Sequence, residues 1–439
     1  MLLFGKLLRN LKAERLSRID IACHSIEHTK GFAAAMAEAL EKLEQQKRIG
    51  EEERKVAEAS VNEMKKLKQK LKRRKWVNWE TEDERKCTEA KRAAIDSSVE
   101  KIKRKKCAIL LSYSGANYYG MQRNPGMETI EEELFKALLK HKWISNDAYG
   151  QAQMASFQRA ARTDKGVSAA RQVCSLKLPE ALNIKAFNDD LPEQIRLFAV
   201  ERVTKGFNAK GQCDARTYTY TMPSIAFADF EANANYETFR LSTEQLLKAK
   251  DILQKFEGTK NFHNFTSRKN YFDPSSKRFI MSFTCSDPFL SPHNAEFITV
   301  KVKGQSFMLH QIRKMVGLTV AIVRGHTDFS TLNKALSEER LDLPMAPGLG
   351  LVLDTVHYER YNERYGKDGI HNPLTWENHE QEIQQFVEQK ILANIYETEY
   401  KEKPLLNWLE TLPLHSYDVR NDENPPSSED KSNKEEKEE

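Results

Sequence analysis

The chain has 439 residues, with 69 Lys plus Arg against 64 Asp plus Glu, a formal charge of +5. Hydrophobic residues are 39% and charged residues 30%, and no apolar run reaches the roughly 18 residues a membrane-spanning helix needs, which excludes an integral helical membrane protein. The six cysteines (Cys23, Cys87, Cys107, Cys174, Cys213 and Cys285) form no C-x-x-C pair and have no histidines at finger spacing. That argues against a disulfide scaffold or a zinc ribbon and for a reducing compartment.

In chain order, residues 1–18 place Phe4, Leu7, Leu8 and Leu11 on one helical face, and carry Lys6, Arg9, Lys12, Arg15 and Arg18 with no acid before Glu14. Such a cationic amphipathic start reads either as a mitochondrial presequence, taken as 1–30, or as an ordinary short helix. Residues 31–106 form a charged arm. Its part 33–75 is rich in Ala, Glu and Lys and too poor in large apolar residues for a core, which suits a solvated helix, a weak coiled coil or disorder. Residues 65–106 hold 17 basic and 7 acidic side chains, with eight of the bases packed into 65–75 and a second cluster at 101–106. Runs of this kind attract phosphate backbones or act as nuclear-import addresses, the plain alternative being a solvated charged face.

From Cys107 the composition becomes that of a mixed α/β core. Residues 107–113 read as a buried strand followed by a turn. Thr129 and Glu132 form a capping box before a helix, and Ser242 with Gln245 opens another that ends at Gly258. Alternation predicts strands at 171–178, 215–222, 278–285, 296–303 and 350–358, and an apolar stretch at 308–324 predicts a helix closed by Gly325. The order strand–helix–strands, then helix–strands–helix–strand, fits two α+β halves sharing one sheet, divided as 107–225 and 226–360. Residues 361–420 read as a polar extension with helices at 381–393 and 405–412, and 421–439, with 3 basic and 8 acidic residues, as a disordered acidic tail.

The run 157–169, F-Q-R-A-A-R-T-D-K-G-V-S-A, is the most informative. If 162–164 is extended, Arg162 and Asp164 share a face, so the guanidinium favours the ionised carboxylate. Gly166 allows a sharp turn behind it. An exposed, anionic Asp on a rigid turn suits nucleophilic attack, but the residues alone equally describe a tight turn with a structural ion pair.

R-T-D-K-G-V-S-A resembles the active-site motif of the TruA family of tRNA pseudouridine synthases. Further matches follow in order: S-Y-S-G at 112–115 and Y-G-M-Q-R-N at 119–124, F-N-A-K at 207–210, D-A-R-T-Y-T-Y at 214–220, N-F-H-N-F-T at 261–266, the run G-Q-S-F-M-L-H-Q-I-R-K-M-V-G at 304–317, and A-P-G-L-G-L-V-L at 346–353. The resemblance covers about residues 107–360, and the variants point to the family's eukaryotic branch, which the extension with L-N-W-L at 406–409 also fits.

The resemblance implies the pseudouridine synthase fold, an α/β fold of the α+β type with two ferredoxin-like halves sharing a sheet around a central basic cleft. It implies that Asp164 drives cleavage of the uridine N1–C1′ bond, after which uracil turns and rejoins through C5. Arg162 would assist base flipping, Tyr218 would stack on the target base and help remove the C5 proton, and Arg313 would pair with the aspartate. Leu349 would line the pocket, and Gln122, Arg123, Lys165, Phe207, Asn208 and Arg216 would contact RNA. No cofactor is implied; tRNA is the expected partner, with mRNA or small nuclear RNA as further candidates, no membrane, a monomer, and a nuclear and/or mitochondrial location. An isomerisation needs no redox partner and no second carboxylate, unlike most glycoside hydrolases, and a base stacked in folded RNA must be flipped before chemistry. His263 and His310 have no third ligand at metal spacing and are expected to be satisfied core histidines. The rivals, a non-catalytic RNA binder and an interaction protein built on 33–75, would predict a lost member of the Asp164, Arg162, Tyr218 and Arg313 set, or an eroded core.

Overall fold

The computed structural model describes residues 103–231 and 234–419. The expected presequence, most of the charged arm and the acidic tail lie outside the described residues.

The first strand, β1 (Arg104–Tyr113), begins three residues before the expected 107, inside the basic run. Lys106 is buried there and its Nζ donates to the carbonyl of Ser156 at 2.6 Å, while Arg104 Nε donates to that of Trp143 at 3.0 Å. Long cationic side chains bury their stems and keep a polar end satisfied, so a run that reads as a solvated arm can enter a sheet. Burial pushes the Lys106 ammonium down to about 8. From Cys107 to Tyr113 every residue is buried, because the strand is covered on both faces.

The chain continues through α1 (Ile130–Lys140), α2 (Asn146–Gly150), β2 (Gln158–Arg159), β3 (Ser168–Pro179), α3 (Ile184–Asp189) and β4 (Ile195–Arg202). It then passes β5 (Ala215–Pro223), α4 (Thr243–Gln254), β6 (Gly258–Asn261), β7 (Lys277–Cys285), β8 (Phe289–Leu290), β9 (Glu296–Gly304), α5 (Gln311–Arg324), α6 (Phe329–Leu336) and β10 (Leu351–His357). The helix starts are where the caps placed them: Thr129 accepts from the Glu132 amide, and Ser242 from the Gln245 amide. Each such cap stabilises by about 1 kcal/mol.

One sheet runs in the order β4-β1-β3-β10-β5-β9-β7-β6, with β2 beside β3 and β8 beside β9. Its neighbours are antiparallel except β3 and β10, which run parallel and pair Ser168 with Val352 and Ala169 with Leu353. Two β-α-β-β-α-β repeats account for this order. The first is β1, α1, β2, β3, α3 and β4; the second is β5, α4, β7, β9, α5 and β10. In each, the first strand lies between the fourth and third, and the second lies outside the third. In the first repeat β2 is only two residues long and pairs with Ser175 and Cys174, while β10 takes the same edge of β3 further back. The edge is shared, so β2 cannot extend.

The ferredoxin-like halves are therefore present, but the division at 225/226 is corrected. β5 pairs with β9 along its whole length and begins the second repeat, so Arg216 and Tyr218 reach the seam from the side opposite Asp164.

The C-terminal extension contains α7 (Glu359–Tyr365), α8 (Glu380–Phe386), a π-helical stretch (Val387–Leu392), α9 (Ala393–Lys401) and α10 (Pro404–Leu409). The expected helix 381–393 is longer, running unbroken to Lys401. Phe386 meets Phe198 of the first repeat edge-on at 6.1 Å, and Tyr396 meets Phe297 of the second at 5.0 Å. This helix straps the two repeats together by its apolar face: Ile383, Phe386, Ile391 and Ile395 are all buried.

Candidate active site

The loop from Ala160 to Val167 joins β2 to β3 and is fastened at almost every residue. The Ala160 amide donates to the Val173 carbonyl at 2.8 Å. Gln172 then imitates a strand partner: its Oε1 accepts from the Ala161 amide at 3.2 Å and its Nε2 donates to the Ala161 carbonyl at 2.9 Å. Thr163 is buried, its hydroxyl 2.8 Å from that of Tyr113 and its carbonyl accepting from the Met121 amide at 3.1 Å. The Gly166 amide donates to Tyr118 and the Val167 amide to Asp164, both at 3.1 Å. Gly166 has φ +75°, the left-handed turn expected of it. Asp164 thus stands part-exposed between the buried Thr163 and Val167.

The loop opens onto a cleft of about 540 Å³ at the seam of the repeats. Arg162, Lys210, Arg216, Arg278 and Arg313 line it against one carboxylate, Asp164, so the basic cleft expected from the resemblance is present, and a polyanion entering it is attracted rather than repelled. Tyr218 meets Phe307 edge-on at 5.3 Å. Its hydroxyl has no hydrogen-bond partner among the described residues, and burial pushes the phenol up to about 12. Arg313 enters from the first turn of α5 and its Nε donates to the Ala346 carbonyl at 2.6 Å. Burial lowers this guanidinium from its ordinary value, against the pull of Tyr220 and Asp164. His310, at φ +62° just before α5, places Nε2 3.8 Å from Asp164 Oδ2. Among the described residues no group of three or more His, Cys, Asp or Glu side chains could hold a metal, and no helix is long and apolar enough to cross a membrane.

A family model for tRNA pseudouridine synthase matches residues 252–359. A Mus musculus protein named pseudouridylate synthase 1 homolog is 46% identical over 346 residues, which cover 78% of this chain and 81% of that one. The Homo sapiens protein of the same name is 48% identical over 313 residues, covering 70% and 73%. The tRNA pseudouridine synthase 1 of Saccharomyces cerevisiae is 32% identical over 348 residues, covering 61% and 64%.

The chain belongs to the tRNA pseudouridine synthase family. As a pseudouridine synthase it is an isomerase: uridine and pseudouridine contain the same atoms and differ in the base carbon or nitrogen bonded to the ribose.

Of the residues expected at the synthase site, the fold brings together Asp164, Arg162, Tyr218, Arg313 and Arg216. Two pairings differ from expectation. Arg162 is exposed and forms no ion pair with Asp164; alternation along a strand does not apply, because 162–164 is a loop whose bonds go elsewhere. Arg313 also lies beyond ion-pair distance of Asp164, its Nε held by Ala346. The nearest basic group to the carboxylate is His310, which is a cleft residue and not the expected core histidine. His263 is a core histidine as expected, buried with Nε2 3.2 Å from the Glu339 carbonyl, but its buried Nδ1 has no hydrogen-bond partner among the described residues, so it is only half satisfied.

The structure places the remaining residues expected to contact RNA or line the pocket as follows. Arg123 folds back onto α1, with Nε 2.6 Å from Glu132, Nη1 2.6 Å from the Tyr149 carbonyl, and its guanidinium over the Tyr149 ring. Gln122 accepts from Arg159 at 3.4 Å and, with Arg123, lines a different cavity. Phe207 is core, packed against Tyr358 and Tyr361 at 5.4 and 4.8 Å. Asn208 builds a turn, accepting from the Lys210 and Gly211 amides at 3.0 and 2.9 Å, and so aims Lys210. Lys165 follows Asp164 but lies over the Tyr119 ring at 4.4 Å. Leu349 packs on the core, and Leu351 lines the cleft in its place. Sequence reasoning missed His310, Lys210, Arg278 and Phe307 as cleft residues; Lys210, Phe307 and His310 stood inside quoted motifs.

Proposed function

We propose that this chain converts specific uridines of tRNA to pseudouridine, with Asp164 as the nucleophile and no cofactor. The observation that carries the reading is the isolation of Asp164, the one carboxylate among the described residues lining a cleft with five cationic side chains. The positive charge of the cleft attracts the phosphates on either side of the target nucleotide. Arg162, exposed at the rim and without a partner among the described residues, is placed to fill the gap a flipped base leaves. Tyr218, its ring held by Phe307, offers a face on which the uracil stacks. Asp164 then drives cleavage of the N1–C1′ bond, the freed ring turns, and C5 takes the sugar. The reaction is redox-neutral and consumes no water, so a single carboxylate suffices where a hydrolase uses two.

The chemistry supplies its own test. Pseudouridine formation expels the hydrogen on C5, so the purified protein should release tritium from tRNA made with uridine tritiated at C5, and should do so equally in excess chelator. Binding of that RNA without tritium release would refute the isomerase, and loss of turnover with chelator while the RNA stays folded would refute the cofactor-free reading.

We further propose that the chain acts as a monomer in the nucleus and/or the mitochondrion, with mRNA or small nuclear RNA among its substrates. The eight bases of 65–75 and the cationic face of 1–18 support the location. Deleting 1–30 should remove mitochondrial delivery while nuclear protein and the activity of the purified enzyme remain; an unchanged distribution would refute it.

A further inference from the structure

Isomerisation leaves a proton to be moved. When uracil has rejoined through C5, that carbon carries the new bond to C1′ and its original hydrogen. The C5–H pair of electrons must return to the ring, and N1, which left C1′ with the electrons of the broken bond, must gain a proton. One proton leaves C5 and one reaches N1, so the balance closes without an oxidant or reductant, but a base is needed beside the ring.

Among the cleft residues, Asp164 leaves C1′ as the C5–C1′ bond forms, and the carboxylate it becomes is a weaker base than a neutral imidazole. Tyr218 is a phenol whose pKa burial raises further above its ordinary value, so it is neutral at pH 7. His310 is the nitrogen base that remains. Its Nε2 lies 3.8 Å from Asp164 Oδ2, and both side chains are part-exposed to the same cleft. The uracil stays within its own width of C1′ throughout, so the imidazole is inside the space the ring sweeps. Its backbone is left-handed, φ +62°, at the position just before α5, and its side chain meets the loop of the first repeat.

Resting on the isomerase reading above, we propose that His310 is the general base that removes the C5 proton after the uracil has turned. Nε2 accepts that proton, the C5–H electrons restore the ring double bond, and the imidazolium hands its proton to N1 or to solvent through the open side of the cleft. The charged groups facing His310 are Asp164 from the loop before β3 and Arg313 and Lys314 from α5, with Arg162, Lys210, Arg216 and Arg278 in the same cleft. Burial lowers the imidazole from its ordinary 6.5, Asp164 raises it, and the two α5 cations lower it, for a net downward shift. The base is therefore neutral and ready at pH 7, and turnover falls as pH drops through a value below 6.5.

The test uses the full chain, tRNA carrying uridine with hydrogen or deuterium at C5, and the variant His310→Gly, which suits the left-handed backbone and leaves room for a free imidazole. Turnover should fall about 100-fold or more, deuterated RNA should now react more slowly than protiated RNA, and the acid limb of the pH profile should vanish. Added imidazole should restore the rate and abolish the isotope effect. His310→Asn, whose backbone also tolerates this region, should be as slow and as isotope-sensitive, which separates loss of a base from loss of fold. Wild-type rates in both variants, or a slow reaction with neither isotope effect nor rescue, would overturn the assignment. Asp164→Asn is run alongside: if it too turns over, the isomerase reading itself has failed, whereas an inactive Asp164→Asn beside unimpaired His310 variants would overturn only the role given to His310.

Discussion

Arg216 ties the second repeat to the loop of the first: its Nε and Nη2 both donate to the carbonyl of Ala160, at 3.2 and 2.7 Å. Its Nη1 reaches the Gln305 carbonyl at 3.3 Å. One side chain thus joins β5, the Asp164 loop and the segment leading to α5. A planar guanidinium spreads its donors over both carbonyls on a rigid fork, a geometry that a compact ammonium does not reproduce. Arg216→Lys should lower kcat by about 100-fold through misplacement of Asp164, and stability by about 1–3 kcal/mol. Single-turnover rates measured beside RNA affinity check this, since a change in affinity alone would mean that Arg216 acts as a phosphate contact.

Gly120 holds the same loop from the other side. Its φ is +90°, and a Cβ there would lie 2.7 Å from the Thr163 carbonyl oxygen. That carbonyl accepts from the next amide, Met121, so it cannot withdraw without losing a bond. Gly120→Ala should cost about 1–3 kcal/mol of stability and displace Asp164. The urea midpoint and kcat should fall together; an unchanged midpoint would show that the loop yields freely.

How much of this was legible in the sequence follows from where each signal resides. Thr129 and Ser242 mark helix starts because a cap is a local device, and both act as read. Strand β4 was missed because Arg196, Glu201 and Arg202 interrupt its apolar residues. The entry of β1 at Arg104 was hidden because a lysine-rich run carries no sign that its stems will be buried. At the site, Asp164 is legible because its turn is contiguous. The approach of His310 is not, since the two residues are brought together only by the pairing of β3 with β10 and the docking of α5. Phe207 and Arg123 stand in motifs that resemble the family's, yet packing uses both to hold the scaffold.

Glu399 gives a dependence of stability on pH. It is buried on α9, accepts from the Leu405 amide at 3.2 Å, and burial pushes its carboxyl from 4.5 up to about 7. The folded protein retains this proton where the unfolded chain has lost it. The stabilisation is therefore full below pH 4.5 and is lost as pH rises to about 7, a difference on the order of 3 kcal/mol. Glu399→Gln should flatten this slope, raising stability at pH 8 more than at pH 5. Urea titrations of both proteins at the two values decide it: parallel pH dependence would contradict the burial of a titrating carboxyl.

The central claim, that the carboxylate of Asp164 performs the isomerisation, is tested most directly by Asp164→Asn, which keeps the shape of the side chain and removes its charge. Tritium release from C5-labelled tRNA and the affinity for the same RNA are measured together. Release should be undetectable while affinity stays within about a few-fold of the wild type, because phosphate contacts dominate binding. Substantial release by the asparagine protein would contradict it.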